Sequence, residues 1–244
     1  EGIRLKGSMN TFIGVDSKEN GVVMYAEYGT NPDTVYNIYR SLDNGLTWEI
    51  TKTGEEVRHW HSVQVDPYTG HWWACGGDAG EENRIIRSTD DGETWEVMSS
   101  GEQKYRACGL VFTENEVMWA MDTAGVKPYV MKSNKNDWNP VQVGEVPFGA
   151  TTLGVAKTID GLMFGWTRVE SNSEQKETVV LWVTDGIDIK VVQKFNVRPD
   201  GMSELPRAGF THGSMIDDEN RWIGMTEGTV LEGTLGIKLP LGLL

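Results

Sequence analysis

Two copies of one pattern decide the fold: Ser41-Leu42-Asp43-Asn44-Gly45-Leu46-Thr47-Trp48 and Ser88-Thr89-Asp90-Asp91-Gly92-Glu93-Thr94-Trp95. Both read Ser-x-Asp-x-Gly-x-Thr-Trp, and their aspartates are 47 positions apart (90 − 43). A short Asp side chain can accept backbone N–H bonds within its own turn, and Gly supplies the positive φ that such a turn needs. The pattern therefore predicts a tight turn between two strands that recurs along the chain.

A second pattern repeats with a similar period. Large apolar residues precede a small residue in five segments: Met24-Tyr25-Ala26, Trp72-Trp73-Ala74, Met118-Trp119-Ala120, Met163-Phe164-Gly165 and Trp222-Ile223-Gly224. The segments recur about every 45 to 60 residues, close to the length of a four-stranded propeller blade. Weaker copies of the turn follow at residues 133–138 and 184–186. We therefore predict an all-β chain, a β-propeller of five blades with four antiparallel strands each.

The whole chain is expected to form one domain, because all-β propellers of this size commonly fold as a single unit. The predicted blades cover residues 7–52, 57–100, 104–145, 148–197 and 207–244. A propeller must close to remove its sheet edges. The last blade needs an outer strand for this closure, and either residues 237–241 or residues 3–5 could supply it.

Composition excludes several classes of partner. The 36 acidic residues against 22 basic ones give a net charge of −14, which repels nucleic acid and anionic membrane surfaces. No apolar run reaches the roughly 18 to 20 residues of a membrane span. Cys75 and Cys108 are expected to be buried thiols in strands, and no cofactor is expected. The sequence begins at Glu1 without an initiator Met, so we expect a processed product or a part of a larger parent chain. A homo-oligomer is the other assembly that we consider.

The Ser-x-Asp-x-Gly-x-Thr-Trp pattern resembles the Asp-box, or BNR, repeat of sialidase-type β-propellers. The weaker copies and the strand register extend this resemblance over nearly the whole chain. The resemblance implies that the boxes occupy turns between third and fourth strands, on the face opposite the ligand site. It also implies structural rather than catalytic roles for Asp43, Gly45, Trp48, Asp90, Gly92 and Trp95.

The resemblance places the ligand site on loops that enter the first strand or join the second strand to the third. Substrate-binding candidates at these positions are Arg58, His59, Trp60, His61, Asp78, Tyr105, Arg106, Asp122, Arg207 and His212, and blade one adds Glu27 and Tyr28. Aromatic rings can stack on sugar C–H faces, while Arg and Asp bind hydroxyls and carboxylates. These residue types favour a glycan ligand, and no catalytic residue is assigned.

Three functions remain open. The first is a glycan-binding module on a phage particle or bacterial surface, which would be extracellular, on the cell surface or on the virion. The second is a polysaccharide-acting enzyme, a glycoside hydrolase or lyase, since His, Tyr and Arg suit acid–base chemistry on acidic sugars. The sequence contains no Arg-Ile-Pro-type motif, which disfavours a true sialidase. The third is a structural or protein-docking propeller.

A metal site is not predicted from the sequence. His59 and His61 are taken to alternate across their strand and to point to opposite faces. Two ligands on opposite faces cannot share one ion, so we expect no zinc.

Overall fold

The computed structural model describes residues 14–123, 126–158, 161–169, 173, 176–198, 207–210, 221–227 and 233–238. These residues form β-strands joined by turns, with short 3-10 segments at Gly80–Glu82, Gln103–Tyr105 and Pro147–Gly149. No helix among them is long and apolar enough to cross a membrane. Contacts divide the chain into two compact units, Glu1–Gly109 and Leu110–Leu244.

The first unit contains two antiparallel sheets, each with four strands in chain order. The first sheet is β1 (Val15–Ser17), β2 (Val23–Ala26), β3 (Ile38–Ser41) and β4 (Glu49–Lys52), and the second is β5 (Trp60–Val65), β6 (Trp72–Gly76), β7 (Arg84–Ser88) and β8 (Glu96–Ser100). Each strand pairs with the next one along the chain, which is the meander expected of a propeller blade.

The second unit repeats this arrangement. One sheet is β9 (Val111–Phe112), β10 (Glu116–Ala120), β11 (Tyr129–Asn134) and β12 (Val141–Glu145). The next meander is β13 (Thr151–Lys157), β14 (Met163–Arg168), β15 (Thr178–Thr184) and β16 (Ile189–Asn196), followed by β17 (Arg207–Phe210), β18 (Arg221–Glu227) and β19 (Gly233–Lys238). The pairing of Arg168 with Arg207 joins β17 to β14, so these seven strands form one sheet.

The predicted all-β class and its four-stranded antiparallel units are confirmed. The sheets β1–β4, β5–β8 and β9–β12 and the meander β13–β16 lie within the predicted blades 7–52, 57–100, 104–145 and 148–197. The count of five blades stays a prediction. The first candidate closing segment, residues 3–5, lies outside the described residues. Of the second candidate, residues 237–241, the first two residues end β19 and the other three lie outside the described residues.

A hydrophobic cluster joins the two sheets of the first unit. Met24 and Ile38 come from the first sheet, and Trp60, Val63 and Trp72 come from the second. All five are buried, and Trp60 is only 1% exposed. Each sheet is apolar on the face that meets its neighbour, so removing this surface from water stabilises the packing of one sheet on the other.

The second unit has an equivalent core, formed around Met118, Val130, Met163, Val180 and Trp182.

The small residue of the repeated strand pattern has a packing role here. A Cβ added at Gly165 would overlap the Trp182 ring on the neighbouring strand. The pattern of a large residue followed by a small one thus makes room for an aromatic ring inside the sheet.

The two Ser-x-Asp-x-Gly-x-Thr-Trp turns are built identically. Asp43 Oδ1 accepts hydrogen bonds from the Thr47 backbone N–H and from the Ser41 hydroxyl, both at 2.8 Å. Its Oδ2 accepts the Thr47 hydroxyl at 2.7 Å. Asp90 repeats these three contacts with Thr94 and Ser88. The turns connect β3 to β4 and β7 to β8, as the sequence predicts.

The hydrogen bonds in these turns lower the pKa of both aspartates. Donation from the Thr47 backbone, the Thr47 hydroxyl and Ser41 brings the pKa of Asp43 from 3.8 to about 2. The Thr94 hydroxyl and backbone, followed by Ser88, bring the pKa of Asp90 to about 2. Both carboxylates are therefore ionised well below neutral pH and are fully engaged within their own turns.

The weaker copies close their turns with a different residue. Asn134 Oδ1 accepts backbone N–H bonds from Asn136 at 2.8 Å and Asp137 at 3.1 Å. Asp185 Oδ1 accepts them from the two residues at 187 and 188, at 2.8 and 3.0 Å. In both copies the accepting side chain lies one position earlier in the pattern than Asp43 and Asp90. These two turns therefore occur between the same strands of their sheets as the turns at Asp43 and Asp90, but the accepting side chain receives backbone hydrogen bonds alone.

Both cysteines are buried, as expected, and neither forms a disulfide. Cys75 lies in β6, and burial raises the pKa of its thiol to about 12. Cys108 lies outside the strands, which differs from the prediction. A thiol that stays protonated is unreactive, so Cys75 acts as a small core residue.

The two aspartate turns predict acid sensitivity. Since their folded pKa lies below the ordinary value of 3.8, their contribution to stability is present above that value and is lost as the pH falls through about 2. The double variant Asp43→Asn/Asp90→Asn should be less stable at neutral pH and should lose less stability between about pH 4 and pH 2 than the wild type. Urea unfolding across this pH range measures both effects. The exposed Asp33→Asn change is the control, and an unchanged pH dependence in the double variant would contradict the prediction.

Candidate functional site

Two buried histidines lie side by side at the start of β5. The side chains of His59 and His61 are only 1% and 2% exposed. His59 Nδ1 contacts the Gly29 carbonyl oxygen at 2.6 Å, and His61 Nδ1 contacts the Ala107 carbonyl oxygen at 2.9 Å. A carbonyl oxygen can only accept, so Nδ1 carries the hydrogen in both rings. The two Nε2 atoms face each other at 3.1 Å.

The expectation that these histidines point to opposite faces was wrong. Residues two apart along an extended chain lie on the same face, and it is Trp60 between them that points away. The register of β5 against β6 also shifts at His61. Trp60 pairs with Gly76 and Ser62 pairs with Cys75, so His61 is the extra residue of a β-bulge. Bulges are common beside functional sites because they redirect a side chain.

Asp78 reaches the histidines because of a glycine turn after β6. The Gly77 N–H donates to the His59 carbonyl oxygen at 3.1 Å, and Gly77 has a φ of +91°. A Cβ at Gly77 would overlap the Glu82 carbonyl oxygen, so only Gly fits this position. The turn brings Asp78 Oδ1 to 3.4 Å from His59 Nε2 and 3.3 Å from His61 Nε2.

Two arginines hold the Asp78 carboxylate from its other sides. Arg58 Nη1 lies 2.9 Å from Oδ2, and Arg106 Nη2 lies 3.1 Å from Oδ1. Arg106 Nη1 also donates to the Asp78 carbonyl oxygen at 2.8 Å. Burial raises the pKa of Asp78, but the contacts with His59 and His61 and the charge of Arg106 outweigh it and hold that pKa far below its usual value. Asp78 is therefore ionised at neutral pH.

Tyr28 covers the histidines on one side. Its ring centroid lies 4.0 Å from that of His59 and 6.4 Å from that of His61, in tilted orientations. Tyr28 follows β2, so the first sheet contributes to a site whose other members belong to the second sheet and the loop after it. Arg58 is 46% exposed and Asp78 is 19% exposed, so the cluster reaches solvent through these two side chains.

The structure thus brings together five of the predicted ligand residues: Arg58, His59, His61, Asp78 and Arg106. Trp60 does not join them, because its ring lies in the hydrophobic cluster between the two sheets. Trp60 is therefore a core residue.

The remaining candidates occupy other positions of the chain. Tyr105 ends a 3-10 turn beside Arg106, with Lys104 Nζ 5.0 Å from its ring centroid. Asp122 is a buried residue of the second unit, and Arg207 opens β17. His212 lies outside the described residues. The backbone carbonyls of Gly29 and Ala107 were missed by sequence reasoning, because every residue carries such a group and nothing marks these two.

No protein-family model matches the sequence, and no curated protein matches it. The fold, however, is shared with solved structures. The chain aligns with a chain of the nidogen/laminin complex at a TM-score of 0.57 and 12% identity, over 89% of this chain and 76% of that one. It aligns with YCF48 bound to D1 peptide at a TM-score of 0.57 and 11% identity, over 92% of this chain and 63% of that one.

A third similar structure is the GH74 xyloglucanase from Xanthomonas campestris, with a TM-score of 0.54 and 17% identity. The alignment covers 88% of this chain and 36% of that chain, so the present chain spans about a third of the hydrolase. These neighbours are β-propellers, and the likeness identifies the fold of this chain as a β-propeller. At such low identity the likeness extends to the fold alone.

The glycine turn that carries Asp78 predicts a specific sensitivity. Gly77→Ala should destabilise the protein by more than the roughly 1–2 kcal/mol that a positive φ costs a residue with a Cβ, because the new methyl group also meets the Glu82 carbonyl. Chemical denaturation measures the loss. Gly101→Ala is the matched control, since Gly101 has a φ of +90° and no atom near its Cβ position. Equal losses for the two variants would contradict the proposed role of the turn.

Proposed function

We propose that this chain binds carbohydrate, specifically acidic glycans, at the cluster of Arg58, His59, His61, Asp78 and Arg106. The observation that carries the proposal is the charge balance of the cluster. Two guanidinium groups contact one carboxylate, so the cluster has a local excess of positive charge although the chain as a whole carries −14. A locally positive site in an acidic protein attracts an anionic ligand, whereas the acidic remainder of the surface does not.

Arg58 is the residue that would meet such a group. Nη1 is held by Asp78 Oδ2 at 2.9 Å, yet 46% of the side chain is exposed. A planar guanidinium anchored at one nitrogen can still offer its remaining N–H groups to a carboxylate or sulfate. Asp78, which is 19% exposed, could accept hydroxyl groups of the same sugar. This combination of a positive group and a polar acceptor is suited to a uronic acid or a similar sugar.

The proposed type of propeller and type of parent protein follow from the resemblance to Asp-box repeats. The two identical turns around Asp43 and Asp90 support an Asp-box, sialidase-like propeller. We extend the proposal to a receptor-binding or surface module of a phage or bacterial protein. Such a module would act outside the cell, on the cell surface or on the virion, as part of a larger chain or a homo-oligomer.

A second candidate is a polysaccharide-acting enzyme. The observation that favours it is the convergence of three ionisable groups, with His59 Nε2, His61 Nε2 and Asp78 Oδ1 all within 3.4 Å of one another. Such groups can transfer protons in hydrolysis or elimination. Incubation with a panel of acidic polysaccharides, followed by assay of reducing ends and unsaturated products, tests it. Inactivity of the folded protein on the whole panel would leave binding as the better explanation.

A third candidate, a protein-docking propeller, is favoured by the neighbours rather than by the site. Two of the similar structures are themselves complexes, the nidogen/laminin complex and YCF48 bound to D1 peptide. Stoichiometric co-purification of a protein partner, in the absence of any glycan binding, would support this candidate over the first.

The glycan proposal predicts the effect of one substitution. On an array that includes uronate and neutral oligosaccharides, the wild type should bind acidic members, and Arg58→Ala should weaken that binding about tenfold or more. The expected loss corresponds to one charge-assisted hydrogen bond, about 1.5–3 kcal/mol. Arg87→Ala is the matched control, because Arg87 lies in the same sheet and pairs with Glu96 rather than Asp78. Absence of acidic hits, or wild-type binding by Arg58→Ala, counts against the proposal.

A further inference from the structure

We propose that His59, His61 and Asp78 form a binding site for one divalent transition-metal ion such as Zn²⁺. This inference concerns three of the five residues of the proposed glycan site, at the buried end of the cluster, and it does not require that a glycan binds there. It rests on the distances among the three ligand atoms, on the hydrogen bonds of the two rings, and on burial.

The distances fit a single ion. The ligand atoms His59 Nε2, His61 Nε2 and Asp78 Oδ1 are separated by 3.1, 3.3 and 3.4 Å. An ion with ligand distances of about 2.0–2.2 Å and ligand angles of about 90–110° holds its ligands about 2.8–3.6 Å apart. All three separations fall in this range, so the spacing allows one ion to contact all three atoms.

The ring hydrogen bonds present the correct nitrogen. Both Nδ1 atoms donate to backbone carbonyls, His59 to Gly29 and His61 to Ala107. In a neutral imidazole with Nδ1–H, the lone pair lies on Nε2, and Nε2 is the atom that faces the cluster. Metal-bound histidines in proteins are usually oriented in this way, by donation from the other ring nitrogen to a carbonyl or carboxylate.

The three atoms also attract a cation for electrostatic reasons. Nδ1 of both rings already donates to a backbone carbonyl, so each Nε2 can approach Asp78 Oδ1 only through a shared cation, either a metal ion or an added proton. The Asp78 carboxylate attracts either cation, and the buried surroundings screen this attraction poorly. A metal ion and a proton are therefore the two candidate occupants, and titration with Zn²⁺ distinguishes them.

The arginines are compatible with an ion. A carboxylate has about four lone-pair sites, so Asp78 Oδ1 can accept from Arg106 and also ligate a metal, while Oδ2 accepts from Arg58. The positive charge of the two arginines adds to that of the ion. The open fourth position of a three-ligand zinc site would therefore favour an anion, such as hydroxide or a carboxylate.

The wild-type chain, freed of metal with a chelator, is the starting point of the test. Isothermal titration with Zn²⁺ should show one equivalent bound with micromolar affinity or better, and the melting temperature should rise with Zn²⁺ concentration. The double variant His59→Gln/His61→Gln should bind about tenfold or more weakly. His71→Gln is the matched control, because His71 lies in the turn between β5 and β6, outside the cluster. It should bind as the wild type does.

A measurement on the wild type keeps the test decisive if the double variant does not fold. In ¹⁵N-labelled protein, Zn²⁺ should shift the Nε2 signals of His59 and His61 and leave the Nδ1 signals protonated. The proposal is overturned if the folded wild type binds no equivalent of Zn²⁺, if the two Nε2 signals do not respond, or if a folded double variant binds as tightly as the wild type.

Discussion

Burial of Trp60 between the first two sheets is the constraint on which this structure depends. The indole packs among Met24, Ile38 and Trp72, and the two sheets of the first unit meet through this cluster. Because side chains alternate along β5, the same burial turns both neighbours of Trp60 to the opposite side. His59 and His61 therefore converge as a direct result of core packing, and the polar site and the hydrophobic core are two faces of one strand.

The site is then completed by backbone atoms as much as by side chains. The carbonyls of Gly29 and Ala107 orient the two imidazoles, and the Gly77 N–H fixes the turn that delivers Asp78. Backbone groups in packed segments have little freedom to move, so the side chains that they hold are arranged before any ligand binds. Such preorganisation reduces the entropic cost of binding.

The sequence was sufficient for the all-β class and the four-stranded antiparallel units because its strongest signal is local. The Asp43 and Asp90 turns depend on residues within four positions, so the pattern can be recognised without knowledge of distant contacts. Arg58, Asp78 and Arg106 were predicted on loops of one face, and the structure brings them together, while their role in ligand binding stays a prediction. His59 and His61 were assigned to opposite faces although residues two apart in a strand share one face. Trp60 was assigned to the ligand face because the phase of β5 and its bulge depend on packing against β6. An error of one residue in that phase exchanges the faces of every side chain.

The short range of the turn contacts has a consequence for the folding order of the first unit. The bonds that close the turns at Asp43 and Asp90 span only four residues, whereas the hydrophobic cluster that contains Met24 and Trp60 joins segments far apart in the chain. Loops of low contact order close in microseconds or less, and long-range contacts form more slowly. The hairpins β3–β4 and β7–β8 are therefore expected to form first, each on its own. The docking of the two sheets through Trp60, and with it the assembly of the histidine site, is then the late step.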